Sequence, residues 1–154
     1  MLSIVLVDPQ IPANTGNIGR LCSCTGAQLY LVGYPGFFIT DRHLKRAGLD
    51  YWHEVNVKTF DRLEDLQELY PENNFYYVST KATQLYTDVL YTSDDFLVFG
   101  SETKGLPENL IFNNPQKSIR IPMVSNKRSL NLATSAGIVL YEAIRQTKPF
   151  ADRS

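Results

Sequence analysis

Apolar residues in this chain fall into short runs set off by polar turns, and these runs alternate with longer stretches of helical period. Residues 2–7 (LSIVLV) are almost continuously apolar, as expected of a central parallel strand covered on both faces. Asp8-Pro9 ends that run, and Asn14 is placed to cap a helix reaching Thr25, with Gly26 as its stop. Residues 28–32 (QLYLV) read as a second strand, 41–47 as a short basic helix closed by Gly48, and 55–60 as an alternating strand. In 61–70 (DRLEDLQELY), Leu63, Leu66 and Leu69 are predicted to share one helix face behind an acidic first turn, which suits the helix dipole. Residues 75–79 and 96–99 are predicted buried strands joined by a polar, Tyr-containing segment. A further strand is predicted at 118–121, and a last helix from near Leu130 to near Gln146, ahead of Pro149. This alternation predicts an α/β domain. With no repeat, low-complexity tract or linker, the whole of 1–154 is expected to form one domain.

Composition narrows the class. At 44% hydrophobic residues, with nine Tyr and eight Phe, the chain can bury a core and does not have the balance of a disordered one. Lys plus Arg is 15 against 16 Asp plus Glu, a net charge of -1. Any nucleic-acid affinity must therefore come from charges gathered on one face. Charge is indeed segregated: Arg42, Lys45 and Arg46 cluster with one acid, whereas Asp61, Glu64, Asp65, Glu68 and Glu72 include only Arg62. Lys127-Arg128 is a second basic spot. The plain alternative for each cluster is a solvated face. No apolar run approaches the roughly 18 residues of a membrane span, and the chain opens directly into a strand-like run. No membrane segment or leader is expected, and the location expected is cytoplasmic. Cys22 and Cys24 sit two apart on a predicted helix, where side chains diverge, and His43 and His53 lie far off. No zinc site is expected, only a buried, reduced pair of thiols.

Three glycine-bearing segments are not explained by packing alone. In 14–20 (NTGNIGR), two glycines near a helix start lower its propensity, by up to about 1 kcal/mol each. Glycine permits close backbone approach, and a helix N-terminus and Arg20 can both hold an anion. The alternative is a tightly packed helix with Arg20 solvated. Residues 99–107 (FGSETKGLP) follow a predicted strand, where open α/β sheets bind ligands. They are not a P-loop: Gly100 and Gly105 have the spacing, but Leu106-Pro107 replaces the phosphate-binding lysine and its neighbour. No G-x-G-x-x-G follows the first strand either, so nucleotide triphosphates and ordinary dinucleotides are poorly supported. In 121–132 (IPMVSNKRSLNL), Ser129 is placed to cap the last helix. Asn131 is then an odd choice, because Asn is a poor interior helix former. Ala133, Ala136 and Gly137 make a small-residue face open to another element, another subunit, or core packing.

Taken in order, N-T-G-N-I-G-R, F-G-S-E-T-K-G-L-P and I-P-M-V-S-N-K-R-S-L-N-L-A resemble motifs one, two and three of the SpoU branch of the SPOUT methyltransferases. The likeness spans nearly the whole chain. The opening I-V-L-V-D-P-Q-I-P-A-N-T-G-N-I-G-R and the stretch R-A-G-L-D-Y are most similar to the small TrmL (YibK-like) tRNA 2'-O-methyltransferases, which consist of the catalytic domain alone. The resemblance implies a parallel sheet ending in a C-terminal deep trefoil knot, a homodimer, and S-adenosyl-L-methionine as cofactor, without metal. It places the cofactor at Val78, Thr80, Gly100, Ser101, Glu102, Ile121, Pro122, Met123, Ser129 and Leu130. It makes Arg20 catalytic, with Asn14, Glu102, Ser129 and Asn131 built around it. Gly19, where relatives often carry an apolar residue, and the variable stretch 125–127 depart from the pattern.

The chemistry so implied is displacement of a methyl group from a sulfonium by a ribose 2'-hydroxyl, which needs alignment and removal of a proton. Arginine is a poor base, with a pKa above about 12. Arg20 can hold the adjacent phosphate and favour the developing alkoxide, and its protonation role is left open. The basic residues Arg42, Lys45, Arg46, Lys127 and Arg128 are the candidates for RNA contact. The substrate implied is the wobble nucleotide of tRNA, position 34, cytidine or modified uridine. The alternatives are another tRNA or rRNA site, or a knotted RNA-binding protein without catalysis.

Overall fold

Seven strands form one wholly parallel sheet in the computed structural model, which describes residues 1–37, 55–125 and 128–150. In chain order the elements are β1 (Ser3–Val7), α1 (Pro12–Thr25), β2 (Gln28–Val32), β3 (Val57–Phe60), α2 (Leu63–Leu69), β4 (Phe75–Val78), β5 (Gln84–Leu85), β6 (Phe96–Phe99), α3 (Glu108–Asn113), β7 (Ser118–Arg120) and α4 (Leu132–Thr147). The strands lie in the order β3-β2-β1-β6-β4-β7-β5. The helix expected at 41–47 lies outside the described residues, with Arg42, Lys45, Arg46 and Lys127.

Side chains alternate across a strand, and the central strands feed two cores. On one face Ile4, Leu6, Leu29, Leu31, Leu97 and Phe99 pack with Ile18 and Cys22 of α1 and with Ala136, Val139, Leu140 and Ala143 of α4. On the other face Val5, Tyr30, Val32, Phe96 and Val98 pack with Leu63 and Leu66 of α2. Burial on both faces is why these strands read as unbroken apolar runs. The sheet also has an unusual order at one edge. β7 pairs with β4 and with β5, yet β4 and β5 are joined only by residues 79–83. That short arch spans the strand lying between them.

Several expectations need correction. α1 starts at Pro12 with Ile11 as its N-cap. Proline fits a first helical position because its missing N–H would have had no partner there. Asn14 is therefore inside the first turn, and its side chain is free for other work. Leu69 is 62% exposed, while Leu63 and Leu66 are buried. Each three-residue step falls about 60° short of a turn, so the third leucine has rotated off the shared face. β5 and α3 had no sequence signal. Cys22 is buried, whereas Cys24 is exposed, so the thiols are not a buried pair. Burial pushes the Cys22 thiol up to about 12, which keeps it protonated.

The last helix begins at Leu132, and its N-cap is Asn131, not Ser129. Asn131 Oδ1 accepts the Thr134 N–H at 3.2 Å. Of the small-residue face, Ala136 is 0% exposed and belongs to the chain's own core. A side chain added at Gly137 would meet nothing within 4 Å. At its far end α4 is clamped to the segment before β6. Gln146 Oε1 accepts the Tyr91 N–H at 2.9 Å, and its Nε2 donates to Val89 O at 3.0 Å and to Glu142 Oε2 at 2.8 Å. Two hydrogen bonds from Arg145 help hold the Glu142 carboxyl below its usual range. A depressed folded-state pKa stabilises the fold above the unfolded value, and that contribution is lost as pH falls through the folded one. Glu142→Gln is expected to flatten the acid-side decline of the urea midpoint, leaving the neutral-to-alkaline side parallel to wild type.

Candidate active site

A cleft of about 550 Å³ opens at the carboxyl ends of β4, β6 and β7, where parallel sheets place their ligand sites. Its volume lies within the roughly 300–1,000 Å³ of small-molecule pockets. Three segments wall it: 78–81 from the end of β4, 99–108 from the end of β6, and residues 121, 123, 129–132 and 135 between β7 and the first turn of α4, with Ile11 and Asn14 closing one side.

Glu102 ties this frame together. Its Oε1 accepts the Gln10 N–H at 2.9 Å. Its Oε2 accepts the Ile11 N–H at 2.8 Å and the Asn14 Nδ2–H at 3.1 Å. Asn14 in turn accepts at Oδ1 from Asn131 Nδ2 at 3.0 Å. A carboxylate only accepts, so Asn14 must turn its nitrogen to Glu102 and its oxygen to Asn131. Asn131 then spends its own oxygen on the α4 cap. The three glycine-bearing segments are thus joined through Glu102, Asn14 and Asn131. Neither the start of α1 nor that of α4 can shift without disturbing the cleft.

The loop after β6 folds back on itself. Gly105 N–H donates to Ser101 O at 2.9 Å, and Ser101 Oγ accepts the Lys104 N–H at 3.1 Å. A Cβ at Gly100 would lie 2.1 Å from Gly105 C and 2.3 Å from Leu106 N. Gly100 is therefore required by the loop's own closure. On the opposite wall Ser79 Oγ accepts the Lys81 N–H at 3.1 Å, and Lys81 pairs with Glu108 at the start of α3.

Of the residues singled out from sequence, Asn14, Val78, Thr80, Gly100, Ser101, Glu102, Ile121, Met123, Ser129, Leu130 and Asn131 line this one cleft. Pro122 and Arg20 are not in its wall. Arg20 is exposed on α1 and Arg128 is exposed beside Ser129. Sequence reasoning missed Lys81, Glu108 and Ser135. Lys81 and Glu108 carry no local signal, because only the fold brings the 79–83 arch to the first turn of α3. Ser135 lies one turn into a helix whose start was placed too early. Among the described residues, no three His, Cys, Asp or Glu side chains gather in metal-binding fashion.

Comparison with known proteins agrees with this geometry. Residues 1–141 match the SpoU rRNA methylase family. The tRNA (cytidine(34)-2'-O)-methyltransferase of Escherichia coli (strain K12) is 44% identical over 150 residues, covering 95% of this chain and 94% of that one. A solved structure concerned with the 2-OH methylation of C/U34 on tRNA superposes with a TM-score of 0.88 at 37% identity, covering 95% of each chain. The AdoMet-bound rRNA methyltransferase of Sinorhizobium meliloti superposes at 0.81 with 26% identity, covering 94% of this chain and 56% of that one. A family match over most of the chain, and a relative this similar over nearly all of it, leave one assignment: the chain belongs to the SpoU methylase family.

Proposed function

We propose that this chain transfers the methyl group of S-adenosyl-L-methionine to the ribose 2'-hydroxyl of the wobble nucleotide of tRNA, position 34, cytidine or modified uridine. The observation that carries the reading is the hydrogen-bonded chain from Glu102 through Asn14 to Asn131, which gathers three segments around one cleft. The relatives' named activity supports the choice of substrate.

The cleft fits the cofactor. Leu106, Ile121, Leu130 and Leu132 supply apolar wall for a nucleoside and a thioether, and Thr80, Ser101 and Ser129 supply hydroxyls beside backbone groups. Such a mixture of apolar wall and placed polar groups suits a nucleoside-sized ligand. When bound there, the cofactor presents a methyl on a sulfonium that departs as a neutral thioether, so the reaction needs no Lewis acid. In that transfer a C–O bond would form as the C–S bond breaks, and the hydroxyl proton would pass to solvent water. The chain's tasks are to align the hydroxyl and to stabilise the oxygen as it loses that proton. Asn14, Glu102, Ser129 and Asn131 fix the wall against which the ribose sits. Arg20 holds the neighbouring phosphate and favours the alkoxide. With Val78, Gly100, Pro122 and Met123, these residues make up the proposed site, and Arg42, Lys45, Arg46, Lys127 and Arg128 are its proposed RNA contacts.

The proposal includes a homodimer, in one methyltransferase domain per chain. Arg20 is absent from its own chain's cleft wall, and the reading is that it serves the cleft of a second copy. Gly137, with open space beside it, and the half-exposed Tyr141 mark the available face of α4. Light scattering is expected to give a dimer at micromolar concentration and a monomer for Gly137→Arg; a monomeric wild type would remove this part of the reading. The C-terminal segment is further proposed to be threaded as a deep trefoil knot. Its support is β7 lying between two strands joined only by 79–83. The enzyme is proposed to be cytoplasmic; no described helix is long and apolar enough to cross a membrane.

The test is direct. Purified protein, tRNA and labelled cofactor are expected to give a 2'-O-methyl group at position 34. Methylation elsewhere would overturn the site, and RNA binding without transfer at any position would overturn the reaction.

A further inference from the structure

We propose that Tyr34 is a stacking platform for an unpaired base of the substrate RNA, beside the nucleotide being methylated. The inference rests on the proposed RNA substrate, but its grounds are separate. Tyr34 exposes 82% of its surface, among the largest exposures of any apolar or aromatic side chain described. A ring this exposed gains little for the fold, because hydrophobic stabilisation scales with the area removed from water.

Its backbone, in contrast, is firmly built. Asp8, just after β1, has φ +51 and Gly33, just after β2, has φ +86. Both lie in the left-handed region, which costs an ordinary residue energy and often marks functional loops. A Cβ at Gly33 would fall 2.1 Å from Asp8 Oδ1, so any other residue would push this carboxylate out of its present position. The Asp8 carboxylate then accepts the Tyr34 N–H at 2.7 Å. Beyond it, Gly36 N–H donates to Pro9 O at 2.8 Å, and Gln10 Nε2 donates to Asp8 O at 2.7 Å. Residues 8–11 are fastened in turn to Glu102, through the N–H groups of Gln10 and Ile11. The exposed ring therefore stands on a scaffold continuous with the wall of the cleft, on the same carboxyl-end face of the sheet.

Single-stranded RNA offers flat, unstacked bases, and proteins hold them on aromatic faces. A wobble nucleotide lies in such a loop, so a neighbouring base is available when the ribose enters the cleft. A tyrosine suits the task because its ring is rigid and loses little conformational freedom on contact. The contact reads no base identity. It acts on RNA affinity and leaves the cofactor untouched.

The experiment uses the full chain and a tRNA anticodon stem-loop carrying 2-aminopurine beside position 34. Tyr34→Ala is expected to weaken RNA affinity about 5- to 150-fold, the scale of a lost base–aromatic stack. Cofactor affinity by calorimetry and the single-turnover rate at saturating RNA should match wild type. Tyr34→Phe should retain wild-type affinity, since the ring and not the hydroxyl makes the contact. Wild type and Tyr34→Phe should quench the 2-aminopurine fluorescence, and Tyr34→Ala should not. Unchanged RNA affinity in Tyr34→Ala would overturn the stack, as would a change confined to the dimer dissociation constant, which would assign the ring to subunit contact. RNA affinity is read without turnover. An inactive wild type that still loses RNA on Tyr34→Ala would therefore overturn the proposed reaction and support the platform.

Discussion

Gly100→Val is expected to abolish measurable cofactor binding. The reason is internal to the loop. The first atom of the new side chain would sit 2.1 Å from Gly105 C and 2.3 Å from Leu106 N, against ordinary contacts of 3.4–4 Å. Those atoms are backbone, with no flexible end to swing aside. Relief requires the loop to open, breaking the Gly105–Ser101 hydrogen bond and displacing Glu102, which holds Gln10, Ile11 and Asn14. The damage therefore reaches the start of α1 as well as the cofactor wall. Gly105→Ala is the informative control. Its added carbon would meet nothing within 4 Å, although φ is +65. That strain costs about 1–2 kcal/mol, so stability should fall modestly and cofactor affinity should stay within about tenfold. Calorimetry reads both variants, with circular dichroism confirming the fold. Wild-type affinity in Gly100→Val would show that the loop opens freely and that its closure does not shape the cleft.

Arg20→Ala is expected to leave cofactor affinity nearly intact and to slow methyl transfer at least about a hundredfold, the scale of a lost proton-transfer or charge-stabilising group. The split follows from geometry, since Arg20 is not in the cleft wall and the cofactor candidates other than Pro122 are. Arg20→Lys should rescue poorly, because an ammonium keeps the charge without the planar fork. If Arg20 serves the second subunit, mixing Arg20→Ala chains with Glu102→Ala chains should restore activity that neither shows alone. No restoration would place both residues in the same chain's cycle. Near-normal single-turnover rates in Arg20→Ala at saturating RNA would remove Arg20 from catalysis altogether.

The fold and the cleft were not equally legible in the sequence. β1, β2 and β6 were readable because burial on both faces leaves unbroken apolar runs, and β6 was placed to the residue at 96–99. The edge was not. β5 is Gln84–Leu85, a pair whose strand character comes wholly from β7 beside it. α3 is a six-residue helix whose single buried side chain, Ile111, gives no periodicity. Asn14 and Asn131 were both misassigned in structure. Their polar side chains suggested one helix cap and one misfit, whereas the fold makes Asn131 the cap and Asn14 the link between it and Glu102. That Glu102, Asn14 and Asn131 touch depends on contacts 88 and 117 residues apart in the chain, which no local pattern encodes. The glycines were legible as unusual, but the reason for Gly100 was not. It answers to residues five and six positions on in the same loop.

The placement of β7 between β4 and β5 has a consequence for how the chain is made. During synthesis β4, the 79–83 arch and β5 leave the ribosome well before β7 does. Until then β5 lacks its sheet neighbour, because among the described residues it pairs with β7 alone. The arch must stay open until the later strand arrives, so this edge of the sheet closes late however fast β1, β2 and β6 assemble. Nascent chains arrested before Ser118 should therefore resist protease over β1 and β2 and be cut readily at 79–95, and that second region should become resistant only when α4 has emerged.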